Sequence, residues 1–383
     1  MSSSNPSENQ TLVPSFEEAQ QPSEIALVPT AIPHLRGEPR QQLQSLDTKY
    51  AGGLKSVGLA GGAALNFAPP VVDASMTVAE VAVANLRRYL YEWHLHEPGA
   101  RLGEDPEALH DLRVAGRRLD AILRQFRPYL PAPILRIRPT LKTVLRALGS
   151  ARDLDVALIE LEAFSRGLPE SERNSAEPLK RHLVSESGRA RARMLSVLDS
   201  LWVQRNLQEF TSLLSAPSAA SQPPSPELML QAAPELIRQR YRKLRKGANR
   251  LTPNSSMEAY HQARGRVKRF RYTLEAMAVI YGKPADAMLR TLRRWQEKLG
   301  VQQDAAVASR RLKALASAPP KGIPPETLFL MGRLAEQYAS AAMRARKRSA
   351  KGYRKVRGRW KKLRVSFKES AAIDLRQLHD SGT

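Results

Sequence analysis

From Thr77 onward, apolar residues recur at three- and four-residue spacing, and no stretch sustains the two-residue alternation of a strand. The pattern predicts helices throughout, and so an all-α chain. Asp105-Pro106 predicts a helix start, with an acidic N-cap and proline at the first helical position. Leu112, Leu119, Ile122, Leu123 and Phe126 then cover one stripe of that helix. Leu148-Gly149-Ser150 reads as a stop followed by a new N-cap, with Ser150 and Asp153 spaced as a capping box. Residues 216–227, rich in Pro and Ser, read as a linker. Helices resume and run to about Lys368, and 369–383 reads as a tail. Residues 1–75 are dominated by Pro, Ser, Gln and Gly with weak periodicity, which predicts a disordered or loosely attached segment.

The helical part contains an internal repeat. His110-Asp-Leu-Arg113-Val-Ala-Gly-Arg117-Arg118-Leu119 is similar to His261-Gln-Ala-Arg264-Gly-Arg-Val-Lys268-Arg269-Phe270, 151 residues on. The same offset pairs Pro133 with Pro284, Leu141 with Leu292, Lys142 with Arg293, Leu148-Gly149 with Leu299-Gly300, and Asp153 with Asp304. Amphipathic helices resemble one another by chance, but chance does not readily keep His, Arg, Pro, Leu-Gly and Asp at one offset. Farther on the register slips, with Trp202 answering Trp360 at an offset of 158. The reading is two copies of one helical bundle, each about 140 residues, at 76–215 and 228–368, produced by internal duplication.

Charge sharpens this picture. The 383 residues hold 61 Lys+Arg against 37 Asp+Glu, for a net charge of +24. Residues 1–75 carry a net −3, so the helical remainder carries +27. That balance points to a polyanionic partner. Cysteine is absent, which excludes disulfides, thiolate metal sites and thiol catalysis. No apolar run is long enough to span a bilayer and Met1–Gln10 lacks the pattern of a signal peptide, so a cytoplasmic protein without a membrane partner is expected.

At about 100° per residue, His110, Arg113 and Arg117 fall within about 60° of one another, opposite the apolar stripe, and Arg124 continues the line. His261, Arg264 and Lys268 repeat the arrangement. Cations one turn apart suit a linear array of phosphates, which accept charge-assisted hydrogen bonds from successive turns. A solvated face is the bland alternative, weakened by the repetition and by the scarcity of nearby acids. The two histidines are open to three readings: packing groups, anion ligands, or catalytic or metal groups. His110-Asp111 resembles a metal-binding pair, but the second half has Gln262 there and no further ligand pattern, so no metal and no cofactor are expected. Capping accounts for Asp153 but not for Asp304, which has Val301 in place of Ser150; a shared role in orienting a neighbouring His or Arg is the alternative. Two more basic runs, Arg238–Lys246 and Arg344–Arg364, the latter with 12 Lys/Arg in 21 residues and a helical apolar stripe, are expected to converge with the ridges on a common groove.

His-x-x-Arg-Val-x-x-Arg-Arg-Leu at 110–119 and Leu-Gly-x-x-Arg-Asp-x-Asp-Val at 148–156 resemble the CHAD (conserved histidine α-helical) domain, and 261–275 with Leu299-Gly300 and Asp304 resembles its second half. The resemblance implies two related four-helix bundles around a basic cavity that binds inorganic polyphosphate, often with recruitment to polyphosphate granules. It implies contacts from His110, Arg113, Arg117, Arg118, Arg152, His261, Arg264, Lys268, Arg269 and Arg271, with Lys142, Arg293, Arg348, Lys351 and Arg354 as supporting cations. Gln303 stands where the first half has Arg152. The CYTH triphosphatase domain that often precedes CHAD domains carries Glu-x-Glu-x-Lys, which is absent here. The expectation is therefore a binding protein and not an enzyme, with nucleic acid as the second candidate partner and phosphatase activity on phosphate polymers as the third possibility.

Overall fold

A computed structural model describes residues 75–216 and 227–380, with side chains to Phe367. The segment expected to be disordered, and nearly all of the linker, lie outside the described residues. Ten long helices account for most of the rest. The first half holds α1 (Val78–Leu102), α2 (Pro106–Gln125), α3 (Arg138–Arg166), α4 (Glu177–Asp199) and α5 (Leu201–Ser215). The second holds α6 (Met229–Ala248), α7 (Met257–Ala276), α8 (Ala278–Ser317), α9 (Pro325–Ala350) and α10 (Gly352–Asp380). Each half thus contributes five helices to an all-α fold.

Helix boundaries recur at the offset seen in the sequence. Val78 and Met229, Pro106 and Met257, and Leu201 and Gly352 are matched first residues; Gln125 and Ala276, Arg166 and Ser317, and Asp199 and Ala350 are matched last residues. Because α5 and α10 also start 151 apart, the register does not slip. Trp202 corresponds to Tyr353, and its pairing with Trp360 is withdrawn.

Local chemistry sets these boundaries. Thr77 caps α1 in a complete capping box with Glu80. Asp105 accepts from the Glu107 amide at 2.9 Å with Pro106 at N1, and Ser256 caps α7 through the Ala259 amide. Gly149-Ser150 does not end a helix. α3 runs straight through, and the Ser150 hydroxyl donates back to the Arg146 carbonyl. The basic run 344–364 is two helices and not one; at their junction Trp295 of α8 donates to the Ser349 carbonyl at 2.9 Å, and a Cβ at Gly352 would overlap the Trp295 ring. α8 is kinked at Gly282, whose φ of 47° disfavours any residue with a side chain. The tail expected from 369 is helical to Asp380; Ala371, Ala372, Leu375 and Leu378 are good helix formers.

The halves share one core. A continuous apolar cluster runs from Trp93, Leu112 and Leu148 through Ile237, Tyr260 and Phe270 to Leu363 and Phe367. Their starts lie side by side: Val78 donates to the Glu227 carbonyl at 3.0 Å and Met229 to the Met76 carbonyl at 2.9 Å. A second cluster joins the far ends of the long helices, with Leu154, Leu161, Leu179 and Leu183 against Leu330, Met331 and Leu334. There Thr327 donates to the Ser175 carbonyl at 2.7 Å and Tyr338 to Glu160 at 2.7 Å.

Candidate anion-binding site

α2 and α7 each bury one face and turn the other toward the midline. On α2, Leu109, Leu112, Leu119, Ile122 and Leu123 are buried; on α7, Tyr260, Val267, Phe270 and Leu274 are. α2 is drawn in tightly, since a Cβ at Gly116 would stand 2.8 Å from Trp93 and 2.9 Å from Leu145. This packing leaves Arg113 and Arg117 of α2 facing Arg264 and Lys268 of α7.

The two arginines have the same surroundings. Arg113 lies 3.7 Å from Asp153 on α3, and Arg264 lies 3.7 Å from Asp304 on α8. Both arginine side chains are 20% exposed. Each guanidinium lies over the glycine one turn before its aspartate, where a Cβ would stand 3.6 Å from Arg113 and 3.5 Å from Arg264. The Leu-Gly pairs thus lie inside continuous helices beneath a cation in both halves and do not mark a helix stop. Neither aspartate caps a helix; each lies beside an arginine. The Nε groups of Arg113 and Arg264 are buried without a hydrogen-bond partner, as are those of Arg118 and Arg138. A buried donor without an acceptor costs about 1–3 kcal/mol.

The electrostatics agree. Burial, reinforced by Arg264, Arg117 and Arg113, pushes the Lys268 ammonium down to about 7, with Asp304 opposing. Burial and then Arg117 lower the Arg113 guanidinium, against Asp153 and Asp304. Asp304 is exposed at its tip but surrounded by protein, which raises its carboxyl against the pull of Arg264 and Lys268. Residues of both halves thus act on one another within a single crowded cationic group.

The remaining predicted contacts divide. His110 is half-buried on the same ridge; burial, then Arg152, lowers its imidazole below the ordinary value. His261 is exposed. Three arginines are turned to protein acceptors. Arg152 is buried, donating to the Pro106 carbonyl at 2.9 Å and to Glu107 at 2.8 Å, and so ties α3 to the start of α2. Arg271 is held by Glu275 at 2.7 Å and Gln296 at 3.0 Å. Arg118 is held by Glu92 at 3.0 Å and lies over the Tyr89 ring. Burial lowers that guanidinium, but Glu92 and Tyr89 outweigh it and hold it above its ordinary value. Gln303 accepts from Arg264 at 3.2 Å, so the second half uses the Arg152 position differently.

Arg269 points away from the midline, toward Arg124, Arg266 and Arg240. Of the supporting cations, Arg293 is paired with Glu275 at 3.0 Å and Lys142 is exposed. Arg348, Lys351 and Arg354 are exposed at the α9–α10 junction, and none acts on the midline group. The basic C-terminal run therefore does not converge on the groove: α10 packs on α6 by stacking Trp360 on Tyr241 at 4.0 Å, leaving its cations outward. Two features escaped the sequence reading. His96 Nδ1 comes within 4.0 Å of Asp111, and Arg266 joins a basic cavity. Among the described residues no three His, Asp or Glu side chains converge as a metal site requires.

The family model of the CHAD domain matches residues 84–313. The chain belongs to the CHAD family. The crystal structure of the CHAD domain from the plant Ricinus communis is similar, with a TM-score of 0.62 and 26% identity over 76% of this chain and 97% of that one. PptA from Streptomyces chartreusis shares the fold, with a TM-score of 0.56 and 20% identity over 72% of this chain and 99% of that one. No curated protein matches the chain. The CHAD match spans both cationic helices, α2 and α7, and ends within α8. No helix among the described residues is long and apolar enough to cross a membrane.

Proposed function

We propose that this CHAD protein binds inorganic polyphosphate at the midline and does not hydrolyse it. Arg113, Arg117, Arg264 and Lys268 are the gripping groups, with His110 beside them. Asp153 and Asp304 aim the two arginines. The observation that carries the reading is the group of Arg113, Arg117, Arg264 and Lys268 crowded together from the two halves, with matched Asp153 and Asp304 beside the arginines and buried, partnerless Nε donors on Arg113 and Arg264. Such donors are costly in the free protein and gain most from an anion. The two arginines belong to opposite halves, which suits a linear polyanion laid across both. Membership of a family known for binding polyphosphate supports the same ligand. Binding to the polymer is then the means by which the protein is drawn to polyphosphate granules.

The test is retention on immobilised polyphosphate, comparing wild type with an Arg113→Glu, Arg264→Glu variant of verified helicity. Wild type should be retained and released by salt, since displaced counterions supply much of the affinity. Unchanged retention of the variant would refute the site. Duplex DNA displacing long-chain polyphosphate at equal phosphate concentration would transfer the site to nucleic acid. Release of free phosphate from the polymer, abolished by His110→Ala, would overturn the non-catalytic reading.

A further inference from the structure

The two halves match in their helices but not in their charge, and one mismatch creates a second cluster away from the midline. In the second half, Arg240, Lys243 and Lys246 of α6 face Arg266 and Arg269 of α7 around a cavity of about 230 Å³. Arg124, from the end of α2, acts on both Arg240 and Arg269. No carboxylate among the described residues pairs with any of the five lining cations. Burial, then their mutual repulsion, lowers the Arg240 and Arg269 guanidiniums.

The equivalent place in the first half shows what a purely structural version looks like. At the 151-residue offset, Arg240, Lys243, Lys246, Arg266 and Arg269 correspond to Tyr89, Glu92, Leu95, Ala115 and Arg118. Arg124 corresponds to Glu275. There, Leu95 and Ala115 are buried in the core, and Arg118 is neutralised by Glu92 at 3.0 Å. Glu275 acts on Arg118 as Arg124 acts on Arg269. One half fills and neutralises this corner; the other holds it open and lined by five cations, with only the rim residue Arg124 paired, to Asp120. A Cβ at Gly247 would displace the tip of the Arg266 side chain from its place in this lining.

We infer that Arg240, Lys243, Lys246, Arg266 and Arg269, with Arg124 at the rim, form a second anion site that takes a short run of condensed phosphates. The cavity is small for a nucleotide or a drug-sized ligand, for which pockets run from about 300 Å³ upward. Its lining offers charged donors and no aromatic platform for a base. A compact, densely charged oligophosphate answers both features. The source is either a free oligophosphate or the end of a longer chain. Arg124 lies two turns along the α2 ridge from Arg117, so a polymer leaving the midline reaches the cavity past a guanidinium that it shares with Asp120, 2.8 Å away.

The experiment is calorimetric titration of the full chain with tripolyphosphate. Wild type should show two sites. The Arg113→Glu, Arg264→Glu protein should keep one, and adding Lys243→Glu, which copies Glu92 of the first half, should weaken that one at least tenfold. Lys246→Gln and Gly247→Ala, each on the same background, should weaken it several-fold and guard against misfolding of the charge-reversal variant. Tripolyphosphate that fails to bind the Arg113→Glu, Arg264→Glu protein, or binds equally with and without Lys243→Glu, would overturn the inference. So would displacement by sulfate at equal charge, the mark of a generic counterion patch. Prior saturation with long-chain polyphosphate separates the sources, because a blocked cavity holds the end of the bound chain and an open one takes free oligophosphate. Full retention of long-chain polyphosphate by the Arg113→Glu, Arg264→Glu protein would sink the midline reading and leave this one standing.

Discussion

Lys268 offers the most quantitative handle on the midline. Unfolded, its ammonium titrates near 10.5; folded and without ligand, it titrates at about 7. Below pH 7 both free and phosphate-bound protein hold the proton, so affinity is independent of this group. Above pH 7 the free protein has lost it, and an anion must draw it back. With one proton taken up on binding, affinity falls about tenfold between pH 6 and pH 8 and about another ninefold by pH 9, each tenfold step being about 1.4 kcal/mol. The assay is a titration with long-chain polyphosphate at constant ionic strength, run in parallel on Lys268→Arg. The arginine keeps the charge without titrating, so the ratio of the two affinities isolates Lys268 from every other titrating group. Parallel pH profiles for the two proteins would refute the reasoning. Stability gives an independent reading with the opposite slope. Between about pH 7 and 10.5 only the unfolded chain holds the proton, so stability rises with pH through that window. Lys268→Met should therefore raise the melting temperature at pH 6, where the burial cost is fully present, and much less at pH 10. The gain has an upper limit of about 5 kcal/mol, reduced by groove water at the partly exposed side chain.

Arg113→Gln and Arg264→Gln should each weaken polyphosphate binding by about 1.5–3 kcal/mol and by similar factors, because their surroundings match; titrations in which only one matters would break the equivalence. Each of these substitutions should also lower the slope of log affinity against log salt by about 1, measured by titration over a salt series. Arg152→Ala should behave oppositely, losing about 1–3 kcal/mol of stability in thermal melting as the α3–α2 tie is cut, with the salt slope unchanged. Gly116→Val should destabilise by about 1–3 kcal/mol through overpacking against Trp93 and Leu145, read in the same melts.

The helices and their repeat were legible because burial imposes period and offset on the sequence directly. The ridge of Arg113, Arg117, Arg264 and Lys268 was legible for the same reason: it is the face opposite the apolar stripe. What sequence could not separate was cations that face an open groove from cations that face a carboxylate. Arg113 and Arg152 look alike in a motif, yet one has an orphaned donor and the other two protein acceptors. Glu107 and Glu92, which decide the matter for Arg152 and Arg118, are 45 and 26 residues away from them. Leu148-Gly149 misled in a different way. Glycine before a polar residue signals a helix end locally, but here the helix runs on and a guanidinium from another helix lies over the glycine. The offset itself carried the correction, since Leu299-Gly300 repeats the pair without Ser150.

The unbroken apolar cluster from α1 to α10 makes the two halves one cooperative unit. Cutting the chain between α5 and α6 would strip greasy surface from both pieces, so neither should stand alone in water, and heating should melt the whole protein in a single step. Evolution can alter the charges of one half freely, but it can no longer inherit, lose or exchange that half as a separate part.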